Sequence, residues 1–280
     1  MNILITGGAG YIGQALVKKV IEKGFTPIII DTNETAEMMM LKEYPGGSIK
    51  VINSSIVDKS SLEKVFETYR PHSVIHAAAH KHISLVESNP SEAINNNIIG
   101  TLNIFSLCVK YKVVNCLYIS TDKADEPKSV YGYTKKVGEE LVYNYSELAK
   151  HTSFMGVRFC NVLGAPGTVI PIFEKQIQEG KPITITSKKM SRYFITLDKA
   201  VEFVCKVLFG IGKTGCIYML DAGKEIRILD LAKDMIKKSG KNIKIIETGI
   251  LPGERLSEPY SIGNHAHICD DIYLVNERRK

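Results

Sequence analysis

An apolar pentapeptide, NILIT (2–6), runs directly into Gly7-Gly8-Ala9-Gly10-Tyr11-Ile12-Gly13, and no other junction constrains the fold of this chain as much. The first piece is strand length, and residues 11–22 carry helix-compatible residues, so the glycines fall on a strand-to-helix turn. Glycines at 7, 10 and 13 permit a tight turn, close approach of the backbone to a pyrophosphate, and close packing of helix on strand. The N–H groups that open the helix then face the phosphates. A second apolar run, TPIIID (26–31), ends on Asp31, 18 residues beyond Gly13. A carboxylate at that place accepts two hydrogen bonds from a ribose diol and repels a 2′-phosphate. Thr32 supplies no compensating charge, so NAD is favoured over NADP.

The alternation continues. IKVIN (49–53) precedes SLEKVFETY (61–69), with Asp58 placed to cap that helix. SVIHAAA (73–79) precedes a long helix opened by Pro90. NCLYIST (115–121) precedes a helix over 129–149, and SFMGVRF (153–159) follows. Six strands alternating with helices predict an α/β fold with a doubly wound parallel sheet of Rossmann type. Beyond Asn161 the pattern loosens into the loop GAPGTVIP, a helix over 171–179, and ITITS (183–187). A helix over 198–209, a strand at 216–220, a helix over 228–239 and IKIIE (243–247) complete the chain before an irregular tail. The expected organisation is a dinucleotide-binding domain over 1–167, rejoined by 192–222, and a smaller substrate-binding region from 168–191 and 223–280.

Composition excludes several classes. With 280 residues and 44% hydrophobic content the chain can bury a sizeable core. No segment approaches the roughly 20 apolar residues of a membrane span, and the N-terminus lacks the basic flank of a signal peptide. A cytoplasmic protein without a membrane partner is expected. Six scattered cysteines form no Cys-x-x-Cys pair, which points to reduced, buried thiols. The formal charge of +6 comes without a basic block, so the lysines read as solvated helix faces rather than a nucleic-acid site.

Thr121-Asp122-Lys123 ends the fifth strand, and Tyr131 and Lys135 sit one helical turn apart just downstream. In an open α/β sheet this is the ligand end of the strand. A carboxylate, two amines and a phenol converging there suit an enzyme that moves several protons in one cycle. Lys135 is placed to hold a nicotinamide ribose and to lower the Tyr131 phenol so that it serves as a base near neutrality. His76, His80 and His82 lie after the fourth strand without an acidic or cysteine partner, so they are expected to line the nucleotide site rather than hold a metal. The run Met38-Met39-Met40 reads as helix core, and one of Asn95, Asn96 and Asn97 as a buried side chain binding backbone or ligand.

These residues resemble the extended short-chain dehydrogenase/reductases. More narrowly, HAAAHKHISLVESNPSEAINNNIIGT (76–101), ISTDKA with SVYGYTKK (119–136), RFCNVLGAPGTVIPIF (158–173), ITITSKKMSRYFIT (183–196) and PGERLSE (252–258) resemble the inverting UDP-N-acetylglucosamine 4,6-dehydratases of bacterial polysaccharide and flagellin-sugar (pseudaminic acid) biosynthesis. The resemblance implies a tightly bound NAD or NADP. Its contacts would come from Gly7, Gly10, Tyr11, Ile12, Gly13 and Asp31 on one side, and from Ser55, Ile56, Ala77, Ala79, Asn97, Tyr131 and Lys135 on the other. It further implies that Tyr131 takes the 4-hydroxyl proton as C4 is oxidised, with Thr121 orienting the 4-oxygen. Lys123 would then take the C5 proton and Asp122 protonate the departing 6-hydroxyl. Lys81, Asn161, Val169, Arg192, Arg255 and Glu258 would hold the UDP-sugar, and a homo-oligomer is expected.

Departures from that pattern are Asp31-Thr32 in place of Ser-Arg, Ser55 in place of an acidic residue, and Cys160 in place of glycine. They allow for a paralogue that accepts a related or partly processed UDP-sugar, or that runs only part of the cycle. The rival readings are a UDP-sugar 4-epimerase or 4-keto reductase, which the Asp122-Lys123 pair argues against, and a catalytically silent nucleotide-binding regulator, which Tyr131 and Lys135 argue against.

Overall fold

The computed structural model describes residues 1–260 and 265–275. In chain order the first half comprises β1 (Asn2–Thr6), α1 (Tyr11–Glu22), β2 (Thr26–Asp31), α2 (Glu34–Glu43), β3 (Lys50–Asn53), α3 (Lys59–Tyr69) and β4 (Ser73–His76). Then come α4 (Ile83–Ser88), α5 (Pro90–Ile94), α6 (Gly100–Lys110), β5 (Asn115–Thr121), α7 (Val130–Leu148) and β6 (Ser153–Phe159). The second half adds β7 (Asn161–Val162), α8 (Val169–Gln178), β8 (Ile183–Ile185), β9 (Ser191–Arg192), β10 (Phe194–Ile195), α9 (Leu197–Lys206) and β11 (Cys216–Leu220). It ends with β12 (Ile226–Arg227), α10 (Ile228–Ser239), β13 (Ile245–Glu247), β14 (Ala266–Cys269) and β15 (Ile272–Leu274).

The main sheet runs β14-β15-β11-β6-β5-β4-β1-β2-β3. From β3 to β11 every pairing is parallel, and β15 and β14 close the edge antiparallel. Strand order reverses between β1 and β4, and there the loops at the strands' carboxyl ends part to leave a crevice. The central strands carry continuous apolar runs because helices cover both faces. Ile3, Leu4, Ile5, Ile28, Ile29, Ile30, Val74 and Ile75 are fully buried. Burial of this kind contributes roughly 1.5–3 kcal/mol for each large aliphatic side chain.

Local signals act as expected at several helix starts. Asp58 accepts from the Ser61 N–H at 3.0 Å and opens α3, and Ser129 does the same for Gly132 at 3.0 Å and opens α7. The helix predicted from Pro90 is interrupted: residues 95–99 form a wider π turn between α5 and α6. That turn carries Asn97 inward, and inserting a residue this way is the usual origin of such bulges. The fourth strand stops at His76, so 77–79 is loop rather than strand. Met40 alone of the methionine run is buried, while Met38 and Met39 are exposed.

A second apolar cluster, built on Phe173, Ile177, Ile183, Ile185, Met190, Ile228 and Ala232, lies apart from the sheet core. It joins α8, β8, α10 and β13, with β8 and β13 paired in parallel. Residues 266–274, counted with the substrate-binding region from sequence, belong to the edge of the main sheet instead. Ala266, His267 and Ile268 of β14 are all exposed, so the strand shows no in–out alternation to read from sequence. Residues 261–264 and 276–280 of that region lie outside the described residues. No helix among the described residues is long and apolar enough to cross a membrane.

Candidate active site

Two adjoining cavities occupy the crevice. The first, about 270 Å³, is bordered by the glycine turn, Asp31, Thr32, Ser54, Ile56 and the loop 77–81. The second, about 620 Å³, lies between Thr121, Lys123, Tyr131 and Lys135 on one side and Val169, Phe173, Ile185, Met190 and Arg192 on the other. Ile12, Ala77, Ala79, Lys81, Ile119 and Ala165 border both, so one elongated ligand pair can meet there.

Gly7 and Gly13 of the turn have no room for side chains. A Cβ on Gly13 would lie 2.2 Å from the Gly7 carbonyl oxygen, and one on Gly7 (φ +67) would lie 2.8 Å from Ala78 Cα. Gly10 caps α1 without a side-chain hydrogen bond, and no acidic residue occupies the first turn. The helix start is thus open to an anion. Asp31 Oδ2 accepts from the Ala9 N–H at 3.0 Å, and Oδ1 from the Thr32 and Asn33 N–H groups at 2.8 and 3.1 Å. Three of its roughly four acceptor directions are taken, which leaves room for one ribose hydroxyl rather than two. Ser54, not Ser55, faces the cavity, and the Ser55 hydroxyl accepts from the Val57 N–H at 3.2 Å.

Asn97 is also reassigned. Its Oδ1 accepts from the His80 N–H at 2.8 Å, and its Nδ2 donates to the His80 carbonyl at 2.9 Å and to the Thr134 hydroxyl at 3.0 Å. Both amide hydrogens are spent inside the protein, so Asn97 shapes the 77–80 loop rather than touching a cofactor. The three histidines are dispersed. His76 is buried between the Thr6 and Thr101 hydroxyls at 2.7 and 2.9 Å, and burial, with Lys135 adding to it, lowers its pKa to about 3. His80 borders the smaller cavity, as expected, and lies 3.3 Å from Glu92, while His82 borders the larger cavity near Gly167.

At the end of β5 the backbone turns through residues 122–124 and gathers the acid–base groups. Asp122 is fully buried. Its Oδ1 accepts from the Thr121 hydroxyl at 2.8 Å and from Lys123 Nζ at 2.9 Å, and its Oδ2 is buried with no partner. Thr121 and Lys123 border the cavity, with Asp122 directly behind them. Lys123 Nζ also donates to Asn161 Oδ1 at 3.4 Å and lies 3.8 Å from Glu258 Oε1. Burial pushes the Glu258 carboxyl up. Glu258 therefore stands behind Lys123 instead of on the cavity wall.

Tyr131 and Lys135 share a face of α7 and both border the cavity. Burial, and then the Asp122 carboxylate, push the Tyr131 phenol up, while the Thr121 hydroxyl pulls it down. The lowering by Lys135 expected from sequence is not what holds this phenol in the protein alone. The Lys135 ammonium instead lies 4.3 Å from the centre of the Tyr118 ring, and burial lowers its pKa to about 7.

Of the remaining predicted contacts, Lys81, Asn161, Val169 and Arg192 border the larger cavity. Pairing of β7 with β10 and of β9 with β12 fixes Asn161 and Arg192 there. Arg192 donates to the Ser191 and Leu256 carbonyls at 2.7 and 3.2 Å. Arg255 does not border the cavity; it donates to the Glu126 carbonyl.

Sequence reading missed a buried network behind the turn. Arg158 Nε and Nη2 donate to Glu139 Oε1 and Oε2 at 3.0 and 2.7 Å, and the Ser120 hydroxyl donates to Glu139 Oε1 at 2.6 Å. Two signals were available. Glu139 continues the Tyr131–Lys135 face by one further turn, and Arg158 is a lone charge in an apolar strand, which demands a partner.

A glycine-lined nucleotide cavity opening onto a tyrosine, a lysine and a buried Asp–Lys pair defines a short-chain dehydrogenase/reductase of the nucleotide-sugar dehydratase and epimerase group. The chain belongs to the polysaccharide biosynthesis protein family, whose model matches residues 3–275. It is 38% identical to the capsular polysaccharide biosynthesis protein CapD of Staphylococcus aureus over 97% of its own length and 47% of that protein's, so it spans about half of that relative. It is 33% identical to a UDP-N-acetylglucosamine 4,6-dehydratase (inverting) of Campylobacter jejuni, covering 98% of this chain and 82% of that one. Among solved structures, Pen from Bacillus thuringiensis superposes with a TM-score of 0.92 at 31% identity, covering 98% of this chain and 86% of the other.

Proposed function

We propose that this chain is a nucleotide-sugar 4,6-dehydratase that inverts C5, converting UDP-N-acetylglucosamine to a UDP-4-keto-6-deoxy-L-AltNAc type product. The carrying observation is the hydrogen bond from Lys123 to the fully buried Asp122 at 2.9 Å, at the edge of the larger cavity. Elimination of water across C5–C6 needs a base and an acid together. One proton moved along this bond turns an ammonium and a carboxylate into an amine and a carboxylic acid. Lys123, on the cavity wall, then takes the C5 proton. Asp122 gives its proton to the departing 6-hydroxyl through the Thr121 hydroxyl that joins it to the cavity. Tyr131 takes the proton of the 4-hydroxyl as C4 is oxidised, and C5 takes one proton back on its opposite face as C6 is reduced, which inverts that centre and balances the proton left on Tyr131.

The glycine turn, the open start of α1 and Asp31 fit a dinucleotide. When bound, it would accept hydride from C4 and return it at C6, which is why it would be held tightly and none need be added. NAD is preferred, because Asp31 borders the cavity and would repel a 2′-phosphate, and Thr32 beside it brings no compensating charge. Arg192 and Lys81 border the substrate cavity apart from the acid–base lysines Lys123 and Lys135, and would face the diphosphate. The C. jejuni relative's activity supports the choice of substrate. A cytoplasmic location belongs to the same reading. So does a homo-oligomer: Ile94, Ile99, Tyr133 and Val137, on neighbouring helical segments, are exposed apolar side chains.

The test is proton NMR of the protein with UDP-N-acetylglucosamine in heavy water. A new C6 methyl signal with deuterium at C5 and inverted C5 configuration is expected. C4 inversion without loss of water would replace this reading by the epimerase, and a C5-exchanged keto sugar without the methyl would mark a partial cycle.

A further inference from the structure

Behind the Asp122 turn lies the largest fully buried side chain of the described residues, Arg158. Its guanidinium forms a two-pronged ion pair with Glu139, itself buried. Ser120 and Arg158 are register partners on β5 and β6, so Glu139 reaches down from α7 onto two adjacent strands. The Ser120 hydroxyl donates to Glu139 at 2.6 Å. On the other side of the turn, Asp125 Oδ2 lies 3.8 Å from Arg158 Nη1. The residues flanking Thr121–Ala124 are therefore both anchored on one ion pair. That pair also rides on the helix that carries Tyr131 and Lys135, and the Glu139 charge supports the Lys135 ammonium against its burial.

We infer that Glu139 and Arg158 are positioning residues, a buried truss that fixes the Thr121-Asp122-Lys123 turn relative to Tyr131 and Lys135. Neither borders either of the two cavities described above, so each acts through the turn rather than on the substrate. A buried ion pair is weak support for stability and is often replaceable by apolar side chains of similar volume. Its geometric value differs: five fixed donors of a planar guanidinium set orientation as well as distance. Proton transfer between Lys123 and Asp122, and onward to the sugar, depends on that orientation. A displacement near 1 Å at such a site costs roughly 10²-fold in rate.

This inference rests on the dehydratase reading for its rate prediction, though its structural part is read without substrate. Removing one partner strands a buried charge, so the decisive variant is the double substitution Glu139→Leu with Arg158→Met. Ser120→Ala is the companion that leaves the ion pair whole. In the double variant, thermal midpoint, nicotinamide content and UDP affinity by calorimetry should stay near wild type, while turnover falls about 10²-fold. Amide hydrogen exchange at 121–125 should quicken by about tenfold or more, with β1 and α1 unchanged. Ser120→Ala should show the same exchange signature more weakly. If the double variant folds and both turnover and exchange match wild type, the pair merely fills space and the inference falls. If the double variant does not fold, unchanged exchange in Ser120→Ala overturns it. A wild type that binds UDP but never forms a 4-keto sugar would overturn the dehydratase reading alone, because the exchange result stands by itself.

Discussion

The Lys135 ammonium sits 4.3 Å above the centre of the Tyr118 ring, and Gly138, one turn further along α7, is what lets Tyr118 come so close. A Cβ on Gly138 would fall 2.1 Å from the Tyr118 hydroxyl oxygen. An aromatic face attracts a cation by about 2 kcal/mol or more when desolvated. Gly138→Ala must push Tyr118 or α7 aside. We expect it to destabilise the fold by roughly 1–3 kcal/mol, the usual cost of overpacking. Loss of bound nicotinamide should accompany it, measured by cofactor content after purification. Unchanged stability and cofactor content would show that Tyr118 yields freely.

Arg192 and Arg255 should separate. Arg192 is buried on the cavity wall, whereas Arg255 is turned to the Glu126 carbonyl. Arg192→Ala is expected to weaken UDP-sugar binding by about 1.5–3 kcal/mol, the value of a hydrogen bond to a charged group. Arg255→Ala should have a markedly smaller effect on binding. Titration calorimetry with UDP reads both, and equal losses would place Arg255 on the phosphates after all.

His76 gives the protein an acid weakness. Its folded pKa is about 3 against an ordinary value of 6.5. Between those values the unfolded chain binds a proton that the folded protein refuses, so stability falls as pH drops from 6.5 toward 3. The loss from this one ring reaches roughly 3 kcal/mol at pH 4. Chemical denaturation at pH 7, 5.5 and 4 should show it, and His76→Gln should flatten the slope by one proton. An unchanged slope would mean that other groups carry the acid dependence.

The sheet was legible because its central strands are buried on both faces and so read as unbroken apolar runs, and because Gly7, Gly10, Gly13 and Asp31 mark where the first two end. Edge elements were not. Residues 266–274 are half-exposed, and their place beside β11 is set by partners distant in sequence. The Thr121–Lys123 and Tyr131–Lys135 sets were legible from spacing alone. What spacing could not reveal was direction: Asp122 turns inward, Glu258 backs Lys123, and Asn97 spends its amide on the His80 backbone. Such placements depend on which acceptors a folded chain leaves within reach, which no linear pattern states.

Tyr131→Phe should cost roughly 10²–10⁴ in turnover, the usual size for a positioned acid or base. UDP affinity should stay close to wild type. Because burial and Asp122 hold the free phenol high, its role as base requires the charge of Lys135 to be brought to bear once both cavities are filled. Lys135→Met should therefore lose as much turnover as Tyr131→Phe and add little in the double variant. Full additivity of the two would show that they act separately.

Asp122 and Lys123 divide the elimination, and their shared hydrogen bond makes the division testable. Asp122→Asn keeps the shape of the side chain but cannot receive the Lys123 proton. The lysine then stays an ammonium, and both acid and base are lost together. Lys123→Ala removes the base and leaves the buried carboxyl without its cation. Both variants keep Tyr131 and Lys135, so oxidation at C4 should persist, seen as a rise in nicotinamide absorbance when UDP-N-acetylglucosamine is added. Neither should exchange the C5 proton in heavy water at more than about a hundredth of the wild-type rate. If Lys123→Ala exchanges C5 as fast as wild type, the base lies elsewhere. If Asp122→Asn exchanges C5 but releases no water, Lys123 does not need Asp122 to become neutral. The proton would then leave it by the only other carboxylate that the structure places within 4.0 Å of its amine among the described residues, Glu258 at 3.8 Å.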